Sequence, residues 1–378
     1  MIEILVGGIE NDGNPSVTSM KQILGLIGVL VIALSIPSPS VGQIAENTSK
    51  PIAKDAGRLL KLTEGWRIND EGGDFYFQRP HNLQVADDGS IFIADREELL
   101  RFSPEGRFIK NIFRKGQGPG EIDDSFMYFV QGRDVFIQDL STQRLWRSDF
   151  NGVFQEQIIV RNTDFAGLIG LVPDGFVLLR SAWPPRSEWT GKLMGVPHIV
   201  DLVARDGSRI RAIATFNPRS FLSQRSATSW DSLRTALSND GKLLYSFCGR
   251  DYLIEVVDMA SGKIIRRYRR DYPKVPYVEK GPEVARFRRP EGAPNIEYEP
   301  DIYSLVPFGE SLWIVTSTAD KAKGSLIDVF DKYGRFIDSF FLGSARTLMA
   351  VEEGGIFCQE KNEDETITIV RYRIDSPL

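Results

Sequence analysis

The sequence predicts an all-β chain, a six-bladed β-propeller of four-stranded antiparallel blades whose ring is closed by a strand from the N-terminal side. Three observations predict it. Eleven glycine turns recur along the 378 residues, the strands between them are apolar on both faces, and the last repeat lacks its fourth strand. Composition fits one large domain, because 42% hydrophobic, 26% charged and 11% aromatic residues are ordinary for a globular chain with a β core.

The turns fall into two sets. Six lie between an apolar strand and the next: Asp88-Gly89, Gly132-Arg133, Asp174-Gly175, Asp240-Gly241, Gly309-Glu310 and Gly354-Gly355. Five more fall between later strand pairs: Glu105-Gly106, Asn151-Gly152, Asp206-Gly207, Ser261-Gly262 and Tyr333-Gly334. Glycine and Asx residues supply the positive φ of tight hairpins, and their recurrence marks a repeat architecture. A blade is a meander of strands A to D with its A–B and C–D turns on one face, so six against five leaves one C–D turn missing. After Gly354-Gly355 come strands Ile356–Glu360 and Thr366–Ile374, and then Leu378. The absent outer strand is expected from Arg58–Leu62 and Trp66–Ile68, which leaves no unpaired terminal blade.

The B strands are apolar without alternation, as in Ile91-Phe92-Ile93-Ala94 and Leu312-Trp313-Ile314-Val315. Strands of that kind are buried on both faces, as stacked blades require; a two-sheet sandwich would alternate. The arginine-rich run Lys263–Arg270 reads as an outer strand blunted by charge. With a net charge of -5 and a pI near 5.4, a nucleic-acid partner is excluded. Cys248 and Cys358 fall on B strands of blades four and six, which are not neighbours, so no disulfide is expected.

Near the start, Met20-Lys21 precedes the apolar run Ile23–Ile36 and the small-residue zone Pro37–Gln43. The pattern predicts a signal peptide over residues 20–42, with 1–19 expected to be a non-native or disordered leader. The apolar run is shorter than the ~20 residues of a membrane span. The expectation is therefore a periplasmic or secreted monomer with no stable span once the signal is removed, a polar linker over 43–56 and the propeller over 57–378.

Spacing locates a functional face. Successive A–B glycines lie 43, 43, 66, 68 and 45 residues apart. The extra length sits in the B–C connection of blade three and in the D–A connections after blades three and four. All three emerge opposite the tight turns, and insertions crowded on one face of a repeat protein mark its binding face. They carry Trp183 and Trp189, then Arg225 and Trp230, then Tyr277 and Arg286, residue types enriched at binding hot spots. A competing reading has the loops fold over one another with the aromatics as a small satellite core.

The loop Gly116-Gln117-Gly118-Pro119-Gly120-Glu121, with Arg79–Asp95 before it, resembles the bacterial six-bladed β-propeller family related to NHL repeats and TolB-like propellers. Members carry a GxGPGE loop between blades and a signal sequence. The resemblance implies an exported propeller but no activity, since most members have none assigned. In physical terms the loop is a tight passage between blades in which Glu121 accepts backbone N–H bonds. No Walker lysine or helix N-terminus follows it to hold a phosphate.

Catalytic readings meet a shortage of ligands. His81 and His198 are the only histidines, which excludes a three-histidine zinc site. No serine sits in a nucleophile elbow and no Cys–His pair is evident. The expectation is a binding module without cofactor that engages a protein, peptide or glycan. The alternative is a calcium-dependent, lactonase-like hydrolase or lyase at the channel mouth, with oxygen ligands from Asn82, Asp95, Asp139 and Asp320, and Glu121, Asp251 and Glu360 as further candidates. Acidic residues at strand ends also serve as turn caps, and His81 is expected to bond a neighbouring blade.

Overall fold

A computed structural model of the chain describes residues 44–68, 73–116, 118, 121–122, 126–140, 144–160, 167–278, 292–362 and 364–375. The expected leader and signal segment, half of the glycine-rich loop and Arg286 lie outside the described residues. The described chain is all-β apart from one 3-10 turn at Arg186–Glu188.

Among the described residues, six antiparallel meanders follow one another along the sequence. Their first strands are Pro80–Val85, Phe126–Gln131, Gly167–Val172, Ser232–Leu237, Ile302–Phe308 and Arg346–Glu352. Each of these touches the first strand of the next sheet, and Arg346–Glu352 touches Pro80–Val85, so the inner strands form a closed cycle. The arrangement is propeller-like. Second strands are buried where the apolar runs predict it: every residue of Ile91–Asp95 is buried. The core lies between successive sheets. Phe92, Phe113, Tyr128 and Trp146 pack between sheets one and two, and Tyr252, Tyr268, Phe330 and Phe336 between sheets four and five.

The C–D turns also pack sheet against sheet. At Gly207, φ is +83° and a Cβ would lie 2.0 Å from the carbonyl oxygen of Ile159, the residue after the outer strand of the preceding sheet. Both the left-handed conformation and the close approach require glycine there.

Closure differs in detail from the expectation. Leu62–Ile68 pairs antiparallel with Ile367–Ile374 and supplies the fourth strand of sheet six. Arg58–Leu59, expected in that same strand, instead pairs in parallel with Phe336–Phe341 on sheet five. Ile44–Asn47, inside the expected linker, pairs in parallel with Lys263–Arg270 on sheet four. The N-terminal segment thus runs along the outer edges of sheets four, five and six in turn. The cause is the unpaired N–H and C=O groups of an outer strand, which an adjacent extended segment satisfies.

Asn47 fastens two of these sheets. Its Nδ2 donates to the carbonyls of Arg269 and Gly334, both at 3.0 Å, and its Oδ1 accepts the N–H of Phe336 at 3.0 Å. Arg58 then forms a two-pronged pair with Asp338 at 2.7 and 2.8 Å.

The long connections build structure of their own. Lys192–Gly195 from the B–C insertion of sheet three pairs with Arg219–Leu222 from the following D–A connection, and Ala227–Ser229 completes a three-stranded sheet. Farther along, Pro276 bridges to Tyr298. Cys248 and Cys358 are free thiols. Among the described residues no helix is long and apolar enough to cross a membrane.

Candidate functional site

The inserted sheet and the sheet four to five connection enclose a cavity of about 420 Å³ at the loop face. Strand ends fix its floor: Leu179 and His198 from sheet three, and Ser232 to Arg234 from the start of the inner strand of sheet four. Ser220, Ser229, Trp230 and Asp231 come from the inserted sheet and its exit, and Tyr277, Ile296, Glu299 and Pro300 from the last long connection. Arg250, one residue past the second strand of sheet four, completes the wall.

Hydrogen bonds hold this wall in place. Arg219 grips Asp231 through Nε at 2.8 Å and Nη2 at 2.9 Å, and its backbone N–H adds a bond at 2.9 Å. Burial raises the Asp231 carboxyl, but the Arg219 bonds and charge outweigh it and leave its pKa below the ordinary carboxylate value. Arg250 donates from Nη1 to the carbonyl of Trp230 at 2.7 Å and from Nη2 to the carbonyl of Tyr298. Its guanidinium lies 5.7 Å from the centre of the Trp230 ring. Arg234 reaches across to sheet five, with Nε on the carbonyl of Tyr303 at 2.7 Å. Although water reaches the Arg234 side chain, protein surrounds it in the concavity, and desolvation lowers its pKa. Burial, followed by the charge and hydrogen bond of Glu299, pushes the Tyr303 hydroxyl up to about 12.

Of the loop-face residues named from sequence, Trp230 and Tyr277 line the cavity, Tyr277 with 41% of its surface exposed. Trp189 is buried in a satellite core with Val196 and Leu222, and its indole N–H donates to the carbonyl of Pro184 at 3.0 Å. Trp183 remains 45% exposed, with its ring 6.1 Å from Trp189 and 6.4 Å from His198. Arg225 is exposed at the Ser223–Ser226 turn of the inserted sheet, away from the cavity lining. Sequence reasoning missed Arg234 and Arg250. The available signal was a charge within an inner strand and another at a strand exit, both beside insertions.

The oxygen-ligand candidates are not brought together. Asp95, 2% exposed, accepts the backbone N–H groups of Gln78 at 2.7 Å and Arg79 at 2.5 Å. Asp320 caps its hairpin by accepting the N–H groups of Ala322 and Lys323. Asp139 is buried in sheet two. Asn82, with φ at +49°, donates to the carbonyl of Tyr128 at 3.1 Å and so ties sheet one to sheet two. Of the further candidates, Glu121 accepts the N–H of Gly118 at 2.9 Å, Asp251 pairs with Lys274 and Glu360 with Arg346. Among the described residues no group of three or more His, Cys, Asp or Glu side chains is placed to hold a metal ion. His81 bonds the carbonyl of Arg79 at 3.0 Å rather than a neighbouring sheet.

No family model matches the sequence, and no curated protein matches it as a relative. The structure is similar to that of a Bacteroides fragilis protein described as exported, with 11% identity and a TM-score of 0.55 over 88% of this chain and 100% of the other. A member of the DUF4221 family from Bacteroides vulgatus is similar at 11% identity and a TM-score of 0.52, over 85% of this chain and 99% of its own. At such identity the likeness concerns the fold alone. The chain is a propeller-like all-β protein that resembles exported bacterial proteins.

Proposed function

We propose that this chain is an exported six-bladed β-propeller acting as a non-catalytic binding module, with its loop face engaging a protein, peptide or glycan. Six meanders joined in a cycle through their inner strands support the blade count. The charged start and apolar run at Met20–Ile36 support export. The reading is carried by one observation: two of the three long connections line a cavity of about 420 Å³ with Trp230 and Tyr277, the third pairing with one of them in the inserted sheet, and the volume falls within the ~300–1,000 Å³ range of small-ligand pockets.

The test is to screen the purified mature protein against immobilised glycans and peptides, beside Trp230→Ala and the control Tyr333→Ala. Tyr333 is 50% exposed at a tight turn on the opposite face. Loss of an aromatic anchor costs ~2 kcal/mol or more, so Trp230→Ala should weaken the captured ligand by more than tenfold while Tyr333→Ala leaves it unchanged. Equal binding by all three proteins would refute the assignment of the loop face.

A further inference from the structure

The loop-face cavity has an unbalanced set of charges. Four ionised side chains line it: Asp231, Glu299, Arg234 and Arg250. Asp231 is paired with Arg219, which leaves the two arginines facing one further carboxylate, Glu299, beside the hydroxyl of Tyr303. Neither arginine lies within ion-pair distance of a carboxylate among the described residues; their recorded bonds all go to backbone carbonyls. Those carbonyls fix the direction of each guanidinium and leave each without a carboxylate ion pair among the described residues.

Two other cavities hold cations that are paired with carboxylates. The one of about 390 Å³ under the N-terminal strand contains Arg270 and Lys274, but Arg270 pairs with Asp328 at 2.8 Å, and Lys274 with Asp251 and Asp301 at 2.5 and 2.9 Å. In the cavity at sheet two, Arg147 pairs with Asp134 and Glu156, while Arg205 has no carboxylate pair among the described residues but lies 4.9 and 5.2 Å from the centres of the Phe136 and Phe176 rings.

We infer that the loop-face cavity binds a carboxylate-bearing saccharide, with Arg234 and Arg250 on the carboxylate and Trp230 and Tyr277 against the sugar ring. The inference rests on the loop-face reading above. A guanidinium is a planar fork of donors matched to a carboxylate, and being held in place beforehand it loses little freedom on binding. Three serines, Ser220, Ser229 and Ser232, bring hydroxyls that both donate and accept, suited to sugar hydroxyls. The lining also carries the aromatic rings of Trp230 and Tyr277, whose apolar surface suits contact with a sugar ring. The chain as a whole carries a net charge of -5, so long-range attraction does not draw an anion in. Selectivity for charge has to arise within the cavity.

Calorimetry on the mature protein tests this with a uronic-acid trisaccharide, the matching neutral trisaccharide and an acidic tripeptide, each against wild type, Arg234→Gln and Trp230→Ala. The uronate should bind at least tenfold more tightly than the neutral sugar, weaken as salt is raised, and lose that advantage in Arg234→Gln. Melting curves establish that each variant is folded, and Arg250→Lys, which keeps the charge but not the fork, should give an intermediate loss. Equal affinity for both sugars, abolished by Trp230→Ala, would overturn the charge inference and leave the loop-face reading standing. Tighter binding of the tripeptide would overturn the saccharide class. Binding by none of the three would overturn the inference outright, while the loop-face reading would then be decided by the array screen with Trp230→Ala.

Discussion

Asp95 separates a structural from a metal-binding role most cleanly. Its carboxylate closes the entry into sheet one by accepting the N–H groups of Gln78 and Arg79 at 2.7 and 2.5 Å, while the side chain itself is almost fully buried. Hydrogen bonds to a charged group contribute ~1.5–3 kcal/mol each. Gln78 and Arg79 are exposed residues, so water can rehydrate their N–H groups after substitution, which favours the low end. Two such bonds put Asp95→Ala at roughly 2–3 kcal/mol of destabilisation. For a domain of this size that is a fall in Tm of roughly 3–4.5 °C. Asp95→Asn keeps one acceptor oxygen and should lose about half as much. Differential scanning calorimetry measures both, with and without added calcium and with EDTA. A Tm that rises with calcium in wild type but not in Asp95→Ala would refute the capping argument and restore the metal reading; no change in Tm on Asp95→Ala would refute the energetics.

Three further outcomes follow from the same structure. Deleting residues 44–68 uncovers the edges of sheets four and five and removes the fourth strand of sheet six, so size-exclusion chromatography should show aggregates; a monomer with an unchanged melt would refute closure by this segment. Trp189→Ala empties the satellite core and should cost ~3–5 kcal/mol locally, read as faster hydrogen exchange over 189–196 and 219–222; unchanged exchange would refute its role as a core residue. Because the folded-state pKa of Asp231 lies below its unfolded value, its contribution to stability is fully present above the ordinary carboxylate pKa near 3.8 and is lost as pH falls through the lower folded value. Asp231→Asn should therefore flatten the acid limb of the stability profile below about pH 4, and an identical acid limb in the variant would refute the coupling.

Much of the fold was legible because its signals are local. A positive φ at a hairpin needs glycine or Asx whatever surrounds it, so Gly89, Gly106, Gly132 and Gly207 marked their turns, and all four have positive φ. Strands buried on both faces declared themselves by apolar runs. The spacing of the turns placed the insertions on one rim, where two of the three form a sheet together. The parallel strands Ile44–Asn47 and Arg58–Leu59 were not legible: they are four and two residues long, and what recruits them is the open edge of a sheet more than 200 residues away in sequence, as in the Asn47 bond to Arg269. Within the site, aromatic residues on insertions pointed to Trp230 and Tyr277. The division between a wall residue and a core residue, Trp230 against Trp189, depends on which way the inserted sheet folds back. Arg234 and Arg250 escaped notice because nothing in the sequence shows that Asp231 is already paired with Arg219.

Hydrogen–deuterium exchange on the mature protein, with and without the strongest-binding ligand from the glycan and peptide arrays, tests the central claim that binding occurs at the loop-face cavity. The account predicts slowed exchange over 227–234, at Arg250 and over 296–303, with the inner-strand segments 80–85 and 126–131 unchanged. Protection confined to those inner strands, with none around Trp230 and Arg234, would contradict it and move the site to the central channel.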